Sequence, residues 1–239
     1  MNQERNFNLR TIQAFSQISD SRIIEIEKSA EFYKYVFGQP ICSEGIIPNK
    51  VLLIINGTAR LYTGSISASS TIRILNAGSF IGLASILRAD ACEQVSASSD
   101  ILVMSIPDKL ILEIYQKDVY FKNWCEKNIF PAEAFKITQE VYRNLPKPNF
   151  DINQLYQLIS SNSIMKAIEN NTIIKTDEDY KNFVSSSNIE KFNCGDIVEN
   201  GEKITTKGPL AARFYLLPKK LIDELYKDIK FTKENNNST

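Results

Sequence analysis

Histidine is absent from the 239 residues. That removes the commonest general acid/base near neutral pH and the commonest zinc ligand. The four cysteines, Cys42, Cys92, Cys125 and Cys194, lie far apart, without the paired spacing of a metal site. They read as structural thiols, and no metal or cofactor is expected. Long apolar runs are missing too: the longest, at 51–55, falls far short of the roughly 20 residues a membrane span needs. The opening residues MNQERNFNLR have no apolar core and no small-residue cleavage site, so no secretory signal is expected and the cytoplasm is the expected compartment. Charge of either sign is in no excess. Lys+Arg and Asp+Glu both total 28, which gives no overall attraction to nucleic acid or anionic membrane.

What the chain does have is punctuation. Leu9, Ile12, Phe15 and Ile18 recur at helical spacing, and Ser19 or Asp20 can cap a second helix through Ile23, Ile24 and Ile26. Aromatic and β-branched residues then alternate between Gly38, Pro40, Gly45 and Pro48, the pattern of short strands. VLLIINGTARLYTG predicts a hairpin folding back at Asn56-Gly57. The strand TIRIL, a turn at 76–78 and strand material at 94–106 follow, and Pro107 opens a helix. Pro146 and Pro148 mark a boundary. The stretch from Asp151 to Ile168 reads as helical, and IVENGE at 197–202 echoes ICSEGI at 41–46, a short internal match.

The fold expected is mainly β with flanking α: a jelly-roll β-barrel plus a smaller α+β C-terminal segment. The expected boundaries are residues 1–130 for the barrel with its helices, 131–150 for a helical linker, 151–230 for the α+β segment with a partial second barrel, and 231–239 for a disordered tail.

The order of signals through 15–129 resembles the cyclic-nucleotide-binding domain of the catabolite-activator family. Phe37-Gly38 with Ile41 and Gly45, LLIINGTARLY with Gly57 and Arg60, the segment Gly78, Phe80, Ile81 and Gly82, and the strand Val95 to Ala97 carry the likeness in sequence order. In that family the residue after the second glycine of the phosphate cassette is a glutamate that holds the ribose hydroxyl, and a later arginine pairs with the cyclic phosphate. Here those positions hold Leu83 and Ala91. Charge-assisted partners contribute roughly 1.5–3 kcal/mol each, and an uncompensated buried charge costs on the order of 3–5 kcal/mol.

The resemblance therefore implies a pocket remnant of Gly82, Leu83, Ala84, Ser85, Arg88, Ala91 and Cys92, with Gly78 and Gly82 serving turns. Backbone N–H groups at 84–86 are candidates for weak anion binding. Arg88 is expected to be solvated, and Glu44, Asp90 and Glu93 to be exposed loop charges. A cyclic nucleotide is disfavoured as ligand, and no catalytic residue stands out; a cupin-type enzyme would need the missing histidines.

Two further features concern partners. No basic recognition helix follows the barrel, so nucleic acid is not an expected partner, and neither is direct membrane insertion. The layout as a whole, with F-x-x-G-D-I-V at 192–198 and FYLLPKKLID at 214–223, resembles the cytoplasmic N-terminal region of cyanobacterial ABC exporters that carry a peptidase domain. That resemblance implies a non-catalytic regulatory piece whose partner is a protein, such as the exporter's other domains. The alternative is a true sensor of a cyclic nucleotide or other small ligand with a rearranged pocket. Ile111, Ile114, Tyr115, Phe121 and Trp124 are expected to form an interaction helix that meets the C-terminal segment or a second copy of the chain.

Overall fold

The computed structural model describes residues 7–64, 69–145 and 151–225. The chain divides into two units, Met1–Asn128 and Ile129–Thr239. The expected tail at 231–239, Pro146 and Pro148 lie outside the described residues.

The first unit opens with two single 3-10 turns, Leu9–Thr11 and Gln13–Phe15, where a continuous helix was expected, followed by α1 (Asp20–Ser29) with Ser19 at its N-cap. Eight strands follow: β1 (Glu31–Tyr35), β2 (Pro40–Cys42), β3 (Lys50–Asn56), β4 (Ala59–Thr63), β5 (Ser70–Leu75), β6 (Phe80–Ile81), β7 (Val95–Ala97) and β8 (Ile101–Pro107). A short helix α2 (Leu83–Arg88) interrupts them, and α3 (Asp108–Lys117) and α4 (Val119–Lys127) close the unit. The strands form two four-stranded sheets ordered β1-β8-β3-β6 and β2-β7-β4-β5, antiparallel throughout. The expected jelly-roll fold, mostly β with flanking helices, is what forms.

Asn56-Gly57 does not make a hairpin. β3 pairs with β6 and β8, whereas β4 pairs with β5 and β7, so this turn carries the chain from one sheet to the other. Gly57 sits at φ +86°, and a Cβ there would lie 2.3 Å from the Asp100 carbonyl oxygen. Both the left-handed backbone and the close approach demand glycine.

The helices cover the barrel with their apolar faces. The Phe121 ring lies 5.6 Å from Phe15 and 6.3 Å from Trp124, and Trp124 lies 5.6 Å from Phe80 on β6. Ile111, Ile114 and Phe121 are fully buried and Tyr115 almost so. Of the five residues expected to supply an interaction face, Trp124 alone keeps substantial exposed surface.

The second unit has a core of its own: Ile168, Ile174, Val184, Ile189, Val198, Ile204, Ala212, Phe214 and Leu216 pack together. It begins with α5 (Pro131–Asn144), in the stretch expected to be a linker, and α6 (Ile152–Asn162), whose N-terminus is a capping box of Asp151 and Gln154. Then come β9 (Ile164–Ile168), β10 (Thr172–Ile173), β11 (Tyr180–Val184), β12 (Ile197–Val198), β13 (Lys203–Ile204) and β14 (Ala212–Pro218). IMKAI, expected to continue a helix, is strand β9: Ser163 ends α6, and the apolar run pairs along β14.

α5 belongs to this unit through a buried ion pair. Glu133 accepts from Arg213 on β14 at 2.7 and 2.8 Å and from the Ser185 hydroxyl at 2.7 Å. The Arg213 guanidinium also lies over the Phe130 ring. Phe135 meets Tyr156 edge-on, joining α5 to α6.

The second unit repeats the first. Its main sheet runs β9-β14-β11-β12, the same order as β1-β8-β3-β6, and β10-β13 matches β2-β7. The registers coincide: Lys50↔Pro107 and Leu52↔Ile81 in the first unit become Tyr180↔Pro218 and Asn182↔Val198 in the second. Even the turn before the shortest strand recurs. Gly78 N–H donates to Ile54 O and Ser79 N–H to Asn76 O, as Gly195 N–H does to Val184 O and Asp196 N–H to Asn193 O.

The repeat therefore pairs 76–81 with 193–198. The match of 41–46 with 197–202 is overturned, because residues 41–42 lie in β2 and 197–198 correspond to β6. No pair equivalent to β4 and β5 stands among the described residues of the second unit, and residues 82–94, including α2, shrink to a turn at 199–202.

Candidate functional site

The candidate site is the loop between β6 and β7. Gly82 starts it at φ +89°, with Pro48 and the Lys50 carbonyl so close that a Cβ would lie 2.8 and 3.0 Å from them. The chain then makes α2, and Ala89 closes that helix in the left-handed region at φ 51°. Its N–H donates to Ile86 O, and that of Asp90 to Ser85 O, at 3.1 Å each. Gly78 and Gly82 thus both occupy left-handed turns.

Leu83, Ala84, Ser85, Arg88 and Cys92 are all buried, and Ala91 is half-buried. Leu83 is fully enclosed and adds to the apolar core.

Two charged residues depart from expectation. Arg88, expected in solvent, is fully buried, and its Nη2 lies 3.4 Å from Asp90 Oδ2. Glu93, expected on an exposed loop, is 5% exposed. Its carboxyl group accepts from Gly82 N–H at 2.9 Å, Ser85 N–H at 3.1 Å and the Ser85 hydroxyl at 2.7 Å. The Ser85 donor in the 84–86 segment is therefore already engaged by the protein itself. Burial raises the Glu93 carboxyl above the usual carboxylate range, opposed by the Ser85 and Gly82 hydrogen bonds and by the Arg88 charge.

Ser85 Oγ also accepts from Cys92 N–H at 3.2 Å. Burial pushes the Cys92 thiol up to about 12, with Arg88 acting in the opposite sense. Cys42, on β2, is likewise pushed up to about 12, by burial first and by the Glu93 charge second. Such thiols stay protonated at neutral pH and are poor nucleophiles. Cys92 and Cys125 are buried, Cys42 and Cys194 half-buried, and none of the four is in a disulfide among the described residues.

Sequence reasoning missed Glu93. The signal was its place two residues before β7, where the alternation of strand residues already points a side chain inward, together with Ser85 eight residues earlier. A single sequence shows neither partner.

Two cavities lie elsewhere. One, of about 330 Å³, is lined by Gln13, Tyr120, Asn123, Trp124, Lys127 and Asn128 along α4. The other, of about 240 Å³, includes Asn182, Val198, Glu199 and Lys219, at the turn that replaces the cassette in the second unit. Cassette residues 82–93 line neither. Among the described residues, no three His, Cys, Asp or Glu side chains are grouped to hold a metal ion. None of the described helices is long and apolar enough to cross a membrane.

Residues 33–118 match the family model of the cyclic nucleotide-binding domain. No curated protein matches the chain. Among solved structures, the chain is similar to a putative cyclic nucleotide-binding protein from Geobacter metallireducens, at 18% identity over 52% of this chain and 88% of that one, with a TM-score of 0.43. It is also similar to the regulatory domain of Toxoplasma gondii PKA with cAMP, at 11% identity over 95% of both chains, with a TM-score of 0.44. The catabolite activator protein of Thermus thermophilus matches at 14% identity over 61% of this chain and 80% of that one, with a TM-score of 0.41. Residues 33–118 have the fold of the cyclic nucleotide-binding domain, a jelly roll with flanking helices.

Proposed function

We propose that the chain is a non-catalytic regulatory module that keeps this fold but works without cyclic nucleotide, through contacts with a protein partner. The observation that carries the reading is Leu83: at the ribose-binding position of the cassette stands an apolar side chain with no exposed surface. Ala91, at the phosphate-pairing position, supports it, since a phosphate sealed in this loop would meet no guanidinium there. The partner class follows from the second resemblance. The GDIV segment at 195–198 forms a turn and β12, and FYLLP at 214–218 lies in β14 of the same sheet, so the two stretches that carry that resemblance belong to one folded unit, which supports reading the partner as the exporter's other domains.

A sensor with a rearranged pocket is the second reading, and Arg88 is the observation that favours it, as a guanidinium buried inside the cassette. A panel of cyclic and linear nucleotides in a thermal-unfolding assay separates the two. A ligand at 100 times its Kd stabilises by about 2.7 kcal/mol. The expected result is no shift with any member, and a reproducible, saturable rise with one of them selects the sensor.

A further inference from the structure

The cassette of the first unit has donors that an anion would take, and the protein fills them from within. Gly82 N–H points at one oxygen of Glu93, and Ser85 N–H and the Ser85 hydroxyl point at the other, at 2.7–3.1 Å. Cys92 N–H extends the chain of bonds by donating to Ser85 Oγ. These contacts staple the start of the loop to its end, across residues 82–93. The left-handed backbone at Gly82 and Ala89 brackets α2 between them. In the second unit the corresponding turn, residues 199–202, is exposed throughout and carries no comparable buried carboxyl.

We propose that Glu93 is an internal stand-in for a ligand's phosphate: its carboxyl group occupies the cassette's donors and holds the cassette in its closed, helix-ordered form with nothing bound. This rests on reading residues 78–97 as the phosphate cassette, and it adds how that cassette is governed. A carboxylate supplies two acceptor oxygens on one centre, as a phosphate does toward the same donors. Because the donors are satisfied by a residue of the same loop, the closed form needs no nucleotide, and a partner reads one constant state. Losing the carboxyl leaves Gly82 N–H and Ser85 N–H buried without acceptors, which loosens the segment locally.

The test uses alkylation of the full chain by iodoacetamide, mapped by peptide mass. Cys92 reports on the cassette. Cys125, fully buried in α4, reports on global opening. Wild type, Glu93→Ala, Glu93→Gln and Ser85→Ala are compared at neutral pH under native conditions. Cys92 is expected to react about tenfold faster in Glu93→Ala than in wild type, with Cys125 unchanged and Ser85→Ala in between. If Glu93→Ala does not accumulate as folded protein, Glu93→Gln and Ser85→Ala give the same reading. An unaltered Cys92 rate in the folded variants overturns the proposal, and so does a rise of Cys92 and Cys125 together. No nucleotide enters this experiment. A failure here is therefore distinct from discovering that wild type binds a cyclic nucleotide, which overturns the functional reading instead.

Discussion

Single side chains decide what the cassette can hold. Leu83→Glu combined with Ala91→Arg restores the charged pair of the resembled family on paper. In this protein the new glutamate enters a fully enclosed position, and Glu93 still occupies the donors of Gly82 and Ser85. The double variant is expected to bind cyclic AMP no better than wild type and to be less stable by about 3–5 kcal/mol, the cost of a buried charge without a good partner. Calorimetry and urea unfolding of the same preparation check both parts.

Glu93 has a pH signature as well. Its folded-state pKa is raised above the ordinary value of 4.5, so the folded protein holds that proton more tightly than the unfolded chain. The part of its contribution that comes from holding that proton is complete below pH 4.5 and is lost as pH rises through the folded value, while the bonds its oxygens accept from Gly82 and Ser85 remain available to the ionised carboxylate. The stability difference between wild type and Glu93→Gln should therefore move against wild type as pH is raised from 4.5. A difference that is flat with pH, or that moves the other way, contradicts the assignment.

Elements were legible in the sequence to very different degrees. Glycines at 38, 45, 78 and 82 mark turns that need left-handed backbone, and these placed most strands of the first barrel. Asn56-Gly57 was misread because a hairpin turn and a crossing between two sheets share the same local requirement for positive φ. IMKAI was misread because a short apolar run fits a helix or a strand equally well until its partner β14 is known. The repeat was sensed at the wrong register, since shared letters at 41–46 and 197–202 stand in different strands, whereas the conserved feature is a hydrogen-bonded turn. Arg88 and Glu93 were placed in solvent because their burial depends on a loop folding back on itself, which periodicity does not encode.

The helix assigned to a linker is instead tied down by Glu133 and Arg213, 0% and 3% exposed at their side chains. Glu133→Ala should destabilise by about 3–5 kcal/mol by stranding the guanidinium, while replacing both residues with methionine should cost far less. Urea unfolding of the two variants checks this. Equal losses would mean that the pair does not act as a unit.

For the whole molecule, the six strands β9 to β14 of the second unit repeat the order of β1, β2, β3, β6, β7 and β8 of the first, with residues 82–94 cut to a turn at 199–202. With 28 basic and 28 acidic residues, the chain should also show no salt-dependent, submicromolar affinity for duplex DNA in an anisotropy titration. Binding of that kind would call for a basic face that the composition gives no reason to expect.

The most direct measurement is a calorimetric titration of the full chain with cyclic AMP and, separately, cyclic GMP. Leu83, Ala91 and the internally satisfied cassette predict no saturable heat with either ligand, and dissociation constants no tighter than millimolar. A saturable, one-site isotherm in the micromolar range for either nucleotide would contradict that prediction, and would mean that the buried Arg88 and the cassette backbone rearrange to take a phosphate.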